Sequence, residues 1–325
     1  MKRPKLVGWG YYLPDDEKRT KDLVQGELGK HLEAQFEVIS RRFIPVCMTG
    51  VDMAKNVALE AAKRANIEVE KLDTIIYATV FPDHQFPGNS AFLQPLLGLQ
   101  GKPVLDLRCQ YAGFIAALDA ACAFIELGTY KDILVVGSDI NSTALNLSDE
   151  GMQIDFPFGD GAGAFIVSAD GNGPEIFRPK LMTDSRFAFD YYIPLTSIAH
   201  PRMTHEDLDK GLQYQKIDWE KMWQFTIERL PEVIKDAAES SGLALEEIEL
   251  IAIPQLKPSQ IELFAKSLGI EVNRFMTILP EVGNIGNAAI PAAYGIIKEQ
   301  GREFSRAIFA GFGSGFSLGA FAIKA

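Results

Sequence analysis

Cysteine, histidine and long apolar runs are all scarce in this chain, and each scarcity excludes something. Three cysteines (Cys47, Cys109 and Cys122) among 325 residues form neither a CxxC pair nor a disulfide framework, a sparse odd count that suits a reducing cytoplasm. Four scattered histidines without an HExxH motif give no support for a metal site, so no metal is expected. No stretch of about 18 apolar residues is present, so nothing is expected to span a membrane. The start, MKRPKLVGWGYYLP, is basic, but its apolar run is broken by Gly8, Gly10 and Pro14, unlike a signal peptide. Basic clusters are also missing. With a net charge of -11, nucleic acid is not an expected partner, and an acidic carrier protein would need a local basic patch.

What is present is a large apolar fraction, 47% of the residues, arranged in two parallel series. In the first series, 52–66 has helical spacing (Met53, Val57, Ala61, Ala65) and leads into an apolar strand at 72–81. In the second, 220–241 is amphipathic (Met222, Phe225, Leu230, Val233, Ile234, Ala237) and leads into a strand within 246–256. The echo continues with a small-residue helix at 112–128, a strand at 131–140 and a closing strand at 161–169. Their counterparts are a helix at 287–301, a strand at 305–313 and a strand at 316–325. Helices apolar on nearly every face must be buried on all sides, and continuous Val/Ile/Leu strands need cover on both faces. The spacing therefore predicts stacked α/β layers in two halves, 1–173 and 174–325. The irregular segment 174–219, with Phe187, Phe189, Tyr191, Tyr192, His200 and His205, is expected to be an insertion of loops or a cap.

Four segments in order carry a family resemblance: PDHQFPGNSAFLQPLLG (82–98), FPFGDGAGA (156–164), VGNIGNAAIPAA (282–293) and GFGSGFSLGAF (311–321). On these the chain resembles the β-ketoacyl-ACP synthase III branch of the thiolase superfamily over nearly its full length. The resemblance implies a thiolase fold, with duplicated halves in a five-layer αβαβα arrangement. It also implies fatty-acid or polyketide-type biosynthesis, acyl-CoA or acyl-ACP thioesters as substrates, no cofactor, a dimer and a cytoplasmic setting.

The family's chemistry uses a Cys nucleophile at a strand-to-helix turn, where the helix N-terminus favours thiolate, together with a His and an Asn that stabilise the enolate. In this chain DLRCQYAGF (106–114) puts Tyr111 in the nucleophile's place, with Cys109 two residues too early. Where the family has Pro-His-Gln-Ala-Asn, this chain has Pro254, Gln255, Leu256, Lys257 and Pro258, so Gln255 replaces the His. Asn284 is retained. A phenol with a pKa near 10 is neutral at pH 7, and an amide carries no mobile proton. A strand rise of about 6–7 Å over two residues also moves the Cys109 thiol well away from near-attack geometry.

The expectation is a non-catalytic subunit that pairs with an active paralogue. The rivals are an acyltransferase or thioester-processing enzyme with an altered site, and a condensing enzyme that uses Cys109. By the same resemblance Phe86 reaches across the two-fold axis into a neighbour's acyl pocket. Arg41 and Arg42 flank the pantetheine channel mouth, and the backbone N–H groups of Tyr111 and Ser314 form the oxyanion turn. Asp160 is read as a turn residue, since Asp tolerates turn geometry. Neither homodimer nor heterodimer is decided by the sequence.

Overall fold

The computed structural model describes residues 3–195 and 202–325; His200 lies outside the described residues. Eleven strands make the main sheet: β1 (Lys5–Tyr12), β2 (Thr74–Ala78), β3 (Val104–Leu107), β4 (Asp132–Asp139), β5 (Gly161–Ser168), β6 (Glu175–Ile176), β7 (Lys180–Thr183), β8 (Leu250–Ala252), β9 (Phe275–Met276), β10 (Arg306–Gly313) and β11 (Ser317–Lys324). The helices that matter for the site are α1 (Gly26–Phe36), α2 (Gly50–Ala65), α3 (Gly113–Glu126), α4 (Trp219–Ser240), α5 (Pro258–Leu268) and α6 (Ala289–Glu299).

Strand order runs β9-β8-β10-β11-β6-β1-β5-β4-β2-β3, with β7 added beside β11. The order is the same five-strand pattern used twice. In one half β3 and β4 flank β2 in parallel, β5 pairs antiparallel with β4, and β1 pairs antiparallel with β5. In the other half β9 and β10 flank β8 in parallel, β11 pairs antiparallel with β10, and β6 pairs antiparallel with β11. The two patterns meet at one register pair, Lys5 opposite Glu175.

Helix placement follows from side-chain composition. Phe114, Ile115, Leu118, Cys122 and Ile125 of α3 and Ile290, Tyr294 and Ile297 of α6 share one core with residues from both sets of strands. These two helices therefore form the middle layer, apolar around their circumference as such a position demands. Helix α2, apolar on one stripe, packs its Met53, Ala54, Val57 and Ala61 on the outer face of the first set. Helix α4 does the same on the second set through Met222, Leu230, Val233, Ile234 and Ala237. Helix, strands, helices, strands, helix is the thiolase arrangement, and each apolar face finds its cover.

One expectation needs adjusting, and one strand went unforeseen. The segment 174–219 is not loops alone: its first part supplies β6 and β7 to the sheet, and its later part buries Tyr191, Leu195 and Gln215. The opening apolar run is a central strand, β1. Its glycines exist for packing, since a Cβ on Gly8 would lie 2.1 Å from the Ala61 carbonyl oxygen and one on Gly10 2.4 Å from that of Val57. Only bare backbone lets α2 sit that close.

Candidate functional site

The turn between β3 and α3 presents Tyr111. Gln110, just before it, holds a φ of 45°, a left-handed conformation that costs a non-glycine residue about 1–2 kcal/mol. The turn delivers Tyr111 one residue ahead of Ala112, the N-cap of α3. That helix has no capping side chain from its own turn; instead Asn287, from the other half, accepts the Phe114 N–H at 2.9 Å. Asn287 in turn donates from its Nδ2 to Asp139 Oδ2 at 2.8 Å. The two halves are thus tied together at the start of the buried helix.

Tyr111 is almost fully enclosed. Its hydroxyl donates to Asn141 Oδ1 at 2.7 Å, and Asn141 donates onward to the Gly159 carbonyl. The ring leans over Gly286, where a Cβ would come within 2.7 Å of the Tyr111 Cδ1 and 2.2 Å of Asp139 Oδ2. Burial pushes the Tyr111 phenol well above its ordinary value, and the neighbouring Tyr191 and Asp139 reinforce the shift. At neutral pH it is a neutral hydrogen-bond donor, already engaged.

Gln255 and Asn284 meet beside it. Gln255 Nε2 donates to Asn284 Oδ1 at 3.1 Å, and Gln255 Oε1 accepts the Phe312 N–H at 3.3 Å. The same Asn284 oxygen accepts the Gly286 N–H at 3.1 Å. The amides therefore cross-link the Gln255, Asn284 and β10 backbones. Ser314, on the turn after β10, borders a cavity of about 910 Å³ that Tyr111 also lines. Gln255 and Asn284, both more than nine-tenths buried, lie outside that lining.

The remaining residues singled out from sequence are spread apart. Cys109 is partly exposed, precedes the helix start by four residues and is not part of the cavity wall. Phe86 is 86% exposed, near His84, which lines the cavity and packs against Phe92 at 4.7 Å between ring centroids. Arg41 is not at a channel mouth. It is fully enclosed, donates from Nη2 to the Phe156 carbonyl at 2.8 Å, and lies 4.3 Å from the Phe156 ring centroid. Burial lowers its guanidinium to about 10. Arg42 is half-buried and pairs with Glu17 at 3.0 Å. Asp160 is more than a turn residue: buried, it accepts from the Ile44 and Ser142 N–H groups and the Ser142 hydroxyl, stitching three segments together.

Sequence reasoning missed Asp139, Asn141, Asp155 and Asn287. Asp139 accepts from Thr79 Oγ1, the Val80 N–H and both Asn287 nitrogens, and burial raises it to about 6. Asp155 accepts from the Asn146 N–H and Gln215 Nε2 and is likewise raised to about 6 by burial. The available signal was a charged residue ending the otherwise apolar run of β4. Among the described residues no group of three or more His, Cys, Asp or Glu side chains is placed to hold a metal, and no helix is long and apolar enough to cross a membrane.

A duplicated five-strand frame with two helices buried between its two sets of strands, and a polar side chain delivered at the N-terminus of one of them, defines a thiolase-type protein. The comparisons resolve the branch. The family description 3-oxoacyl-(acyl-carrier-protein) synthase III matches residues 105–185, and its C-terminal counterpart matches 238–325. The chain is 31% identical to a β-ketoacyl-(acyl-carrier-protein) synthase III of Clostridium acetobutylicum, across 100% of this chain and 99% of the relative. It is 30% identical to one from Neisseria gonorrhoeae, across 98% of each. The crystal structure of a 3-oxoacyl-(acyl-carrier-protein) synthase III from Aquifex aeolicus superposes with a TM-score of 0.88 at 25% identity, covering 99% of this chain and 100% of that one. The chain belongs to the 3-oxoacyl-(acyl-carrier-protein) synthase III family.

Proposed function

We propose that this chain is a non-condensing member of its family, a cytoplasmic subunit that pairs with an active ketosynthase paralogue and helps shape that partner's acyl pocket. The observation that carries the proposal is Tyr111: a buried, neutral phenol, hydrogen-bonded to Asn141, stands where the family pattern calls for a thiolate. Acyl transfer needs an anionic or base-activated nucleophile. The hydroxyl's nearest acceptor is a neutral amide, which cannot take its proton. Gln255 compounds the loss, because its amide is committed to Asn284 and to the Phe312 N–H and offers no titratable group. Exposed Phe86 is the side chain that would enter the partner's pocket.

Two measurements test this. Intact-mass analysis of the purified chain after incubation with acyl-CoA is expected to show no adduct, and a stable acyl-enzyme at Tyr111 or Cys109 overturns the proposal. Native mass spectrometry of the chain co-expressed with a Cys-containing paralogue is expected to show a one-to-one heterodimer. Exclusive homodimers would remove the pairing half of the proposal.

A second reading, an acyltransferase or thioester-processing enzyme with an altered site, draws on the cavity bordered by Tyr111 and Ser314. The two backbone N–H groups there could polarise a carbonyl. Carrier-protein binding is common to both readings. Turnover of an acyl thioester without a covalent intermediate, abolished by blocking the cavity, would favour the second.

A further inference from the structure

A separate groove, none of whose lining is shared with the cavity beside Tyr111, runs between α4 and α5 and encloses about 680 Å³. Helix α4 turns Met222, Phe225, Leu230, Val233 and Ile234 into the core. Trp219, Trp223 and Ile227 form a neighbouring stripe at i, i+4 and i+8, partly covered, and line the groove together with Leu263 of α5. Leu263 is 50% exposed. The tryptophans are held in place: the Trp219 indole N–H donates to the Ile154 carbonyl at 3.0 Å, and its ring stacks on that of Trp223 at 5.5 Å between centroids.

The charge on this groove has one sign. Glu220 and Glu228 are the charged side chains among its lining residues. Neither has an ion pair among the described residues, and Glu228 accepts from the neutral Gln224 amide at 3.0 Å. Nearby cations are committed elsewhere. Lys221 pairs with Asp190 and Asp218, and Arg229 pairs with Glu232. Lys257 donates to the Gln35 carbonyl and lies 3.7 Å from the Trp223 ring centroid. The two carboxylates stand two helical turns apart, about 12 Å along α4.

We propose that the α4–α5 groove docks a basic amphipathic helix of a partner protein, its apolar side chains on Trp223, Ile227 and Leu263 and its Lys or Arg side chains against Glu220 and Glu228. A helix suits the site because the α4 and α5 backbones are satisfied within their own ladders and offer no edge to an extended peptide. Acidic groups flanking an apolar stripe select a partner of opposite charge and repel an acidic one.

The experiment titrates three peptides of about 18 residues, long enough to form a helix, into the full-length protein by isothermal calorimetry at near-physiological salt. They are an amphipathic Leu–Lys helix, the same pattern with Glu for Lys, and a scrambled Leu–Lys sequence without an apolar face. The first is expected to bind, and the other two are not. Leu263→Ser, at a half-exposed position, is expected to weaken binding about tenfold. Glu220→Gln with Glu228→Gln is expected to weaken it about fivefold, while Glu246→Gln with Glu271→Gln, an equal charge change on a distant exposed surface, leaves it unchanged. Binding of the scrambled or the acidic peptide, equal losses in the two double variants, or no binding of the amphipathic Leu–Lys helix overturns the proposal. A smaller oligomer in the Leu263→Ser variant by sedimentation would assign the groove to a second copy of this chain and overturn it as well.

Discussion

The two halves share a strand order and differ in what they place between a parallel strand and a buried helix. In the first half, β3 runs into α3 through the tight turn 108–112, which has room to deliver one side chain, Tyr111, at the helix start. In the second half, β9 reaches α6 through the longer connection 277–288, which carries Thr277, Asn284 and Asn287. The longer connection serves both halves. Asn284 couples to Gln255 within its own half, whereas Asn287 crosses over to cap α3 and to hold Asp139. A repeated frame therefore does not mean repeated roles: one copy presents Tyr111 at a buried helix start with its own Asp139 and Asn141, and the other adds Asn284 and Asn287 around it.

The comparison breaks most sharply if the first half's turn is returned to sulfur. Tyr111→Cys combined with Gln255→His is expected to convert a chain with no acyl adduct into one stoichiometrically acylated by acyl-CoA, a gain of at least about 10²-fold in acylation rate by stopped mass analysis. Tyr111→Cys alone is expected to acylate yet fail to decarboxylate a malonyl thioester. A double variant that stays unmodified would mean that the frame, and not the two side chains, has lost the chemistry.

Removing the crossover contact comes next. Asn287→Ala deprives the Phe114 N–H of its acceptor and the buried Asp139 carboxylate of its Nδ2 donor, and is expected to cost about 3 kcal/mol in denaturant unfolding. Gln255→Ala, acting within one half, removes two neutral hydrogen bonds and is expected to cost about 1–2 kcal/mol. Equal costs would erase the distinction between the two kinds of contact.

The mildest test is pH. Asp139 and Asp155 are each raised by burial from 3.8 to about 6. The folded state therefore holds these protons more tightly than the unfolded chain does. Their contribution to stability is fully present below about pH 4 and is lost as pH rises through about 6, at up to about 3 kcal/mol per group. Unfolding midpoints are expected to rise on acidification from pH 7.5 to pH 5. Asp155→Asn should flatten that rise by comparison with the unmodified chain, and an unchanged slope would show that Asp155 does not titrate in this window.

Much of this architecture can be read from the chain because burial leaves a plain mark. Both small-residue helices and all four long apolar strands of the middle layers fall within two residues of their expected ends. β1 escaped notice because the glycines that let α2 approach also break the apolar run that would announce a strand. At the site, Tyr111, Gln255 and Asn284 stand out because flanking motifs fix their places. Asp139, Asn141, Asp155 and Asn287 do not, because their partners come from distant segments, and no local spacing records a contact across 148 positions such as that between Asn287 and Asp139. Arg41 shows the reverse failure. The family resemblance set it at a channel mouth, while the Phe156 ring and carbonyl keep it inside.

The seam at Lys5 and Glu175 has a practical consequence. The chain's beginning does not hang from the rim of the sheet; β1 occupies its middle, hydrogen-bonded to β5 along its length and to β6 at its first residue. Trimming the first dozen residues would split one continuous ladder into two and leave β5 and β6 with raw edges, the kind of surface on which chains stick to one another. Tags fused at the amino terminus are safest on a flexible spacer, and a shortened product is expected to precipitate before it loses any particular ligand.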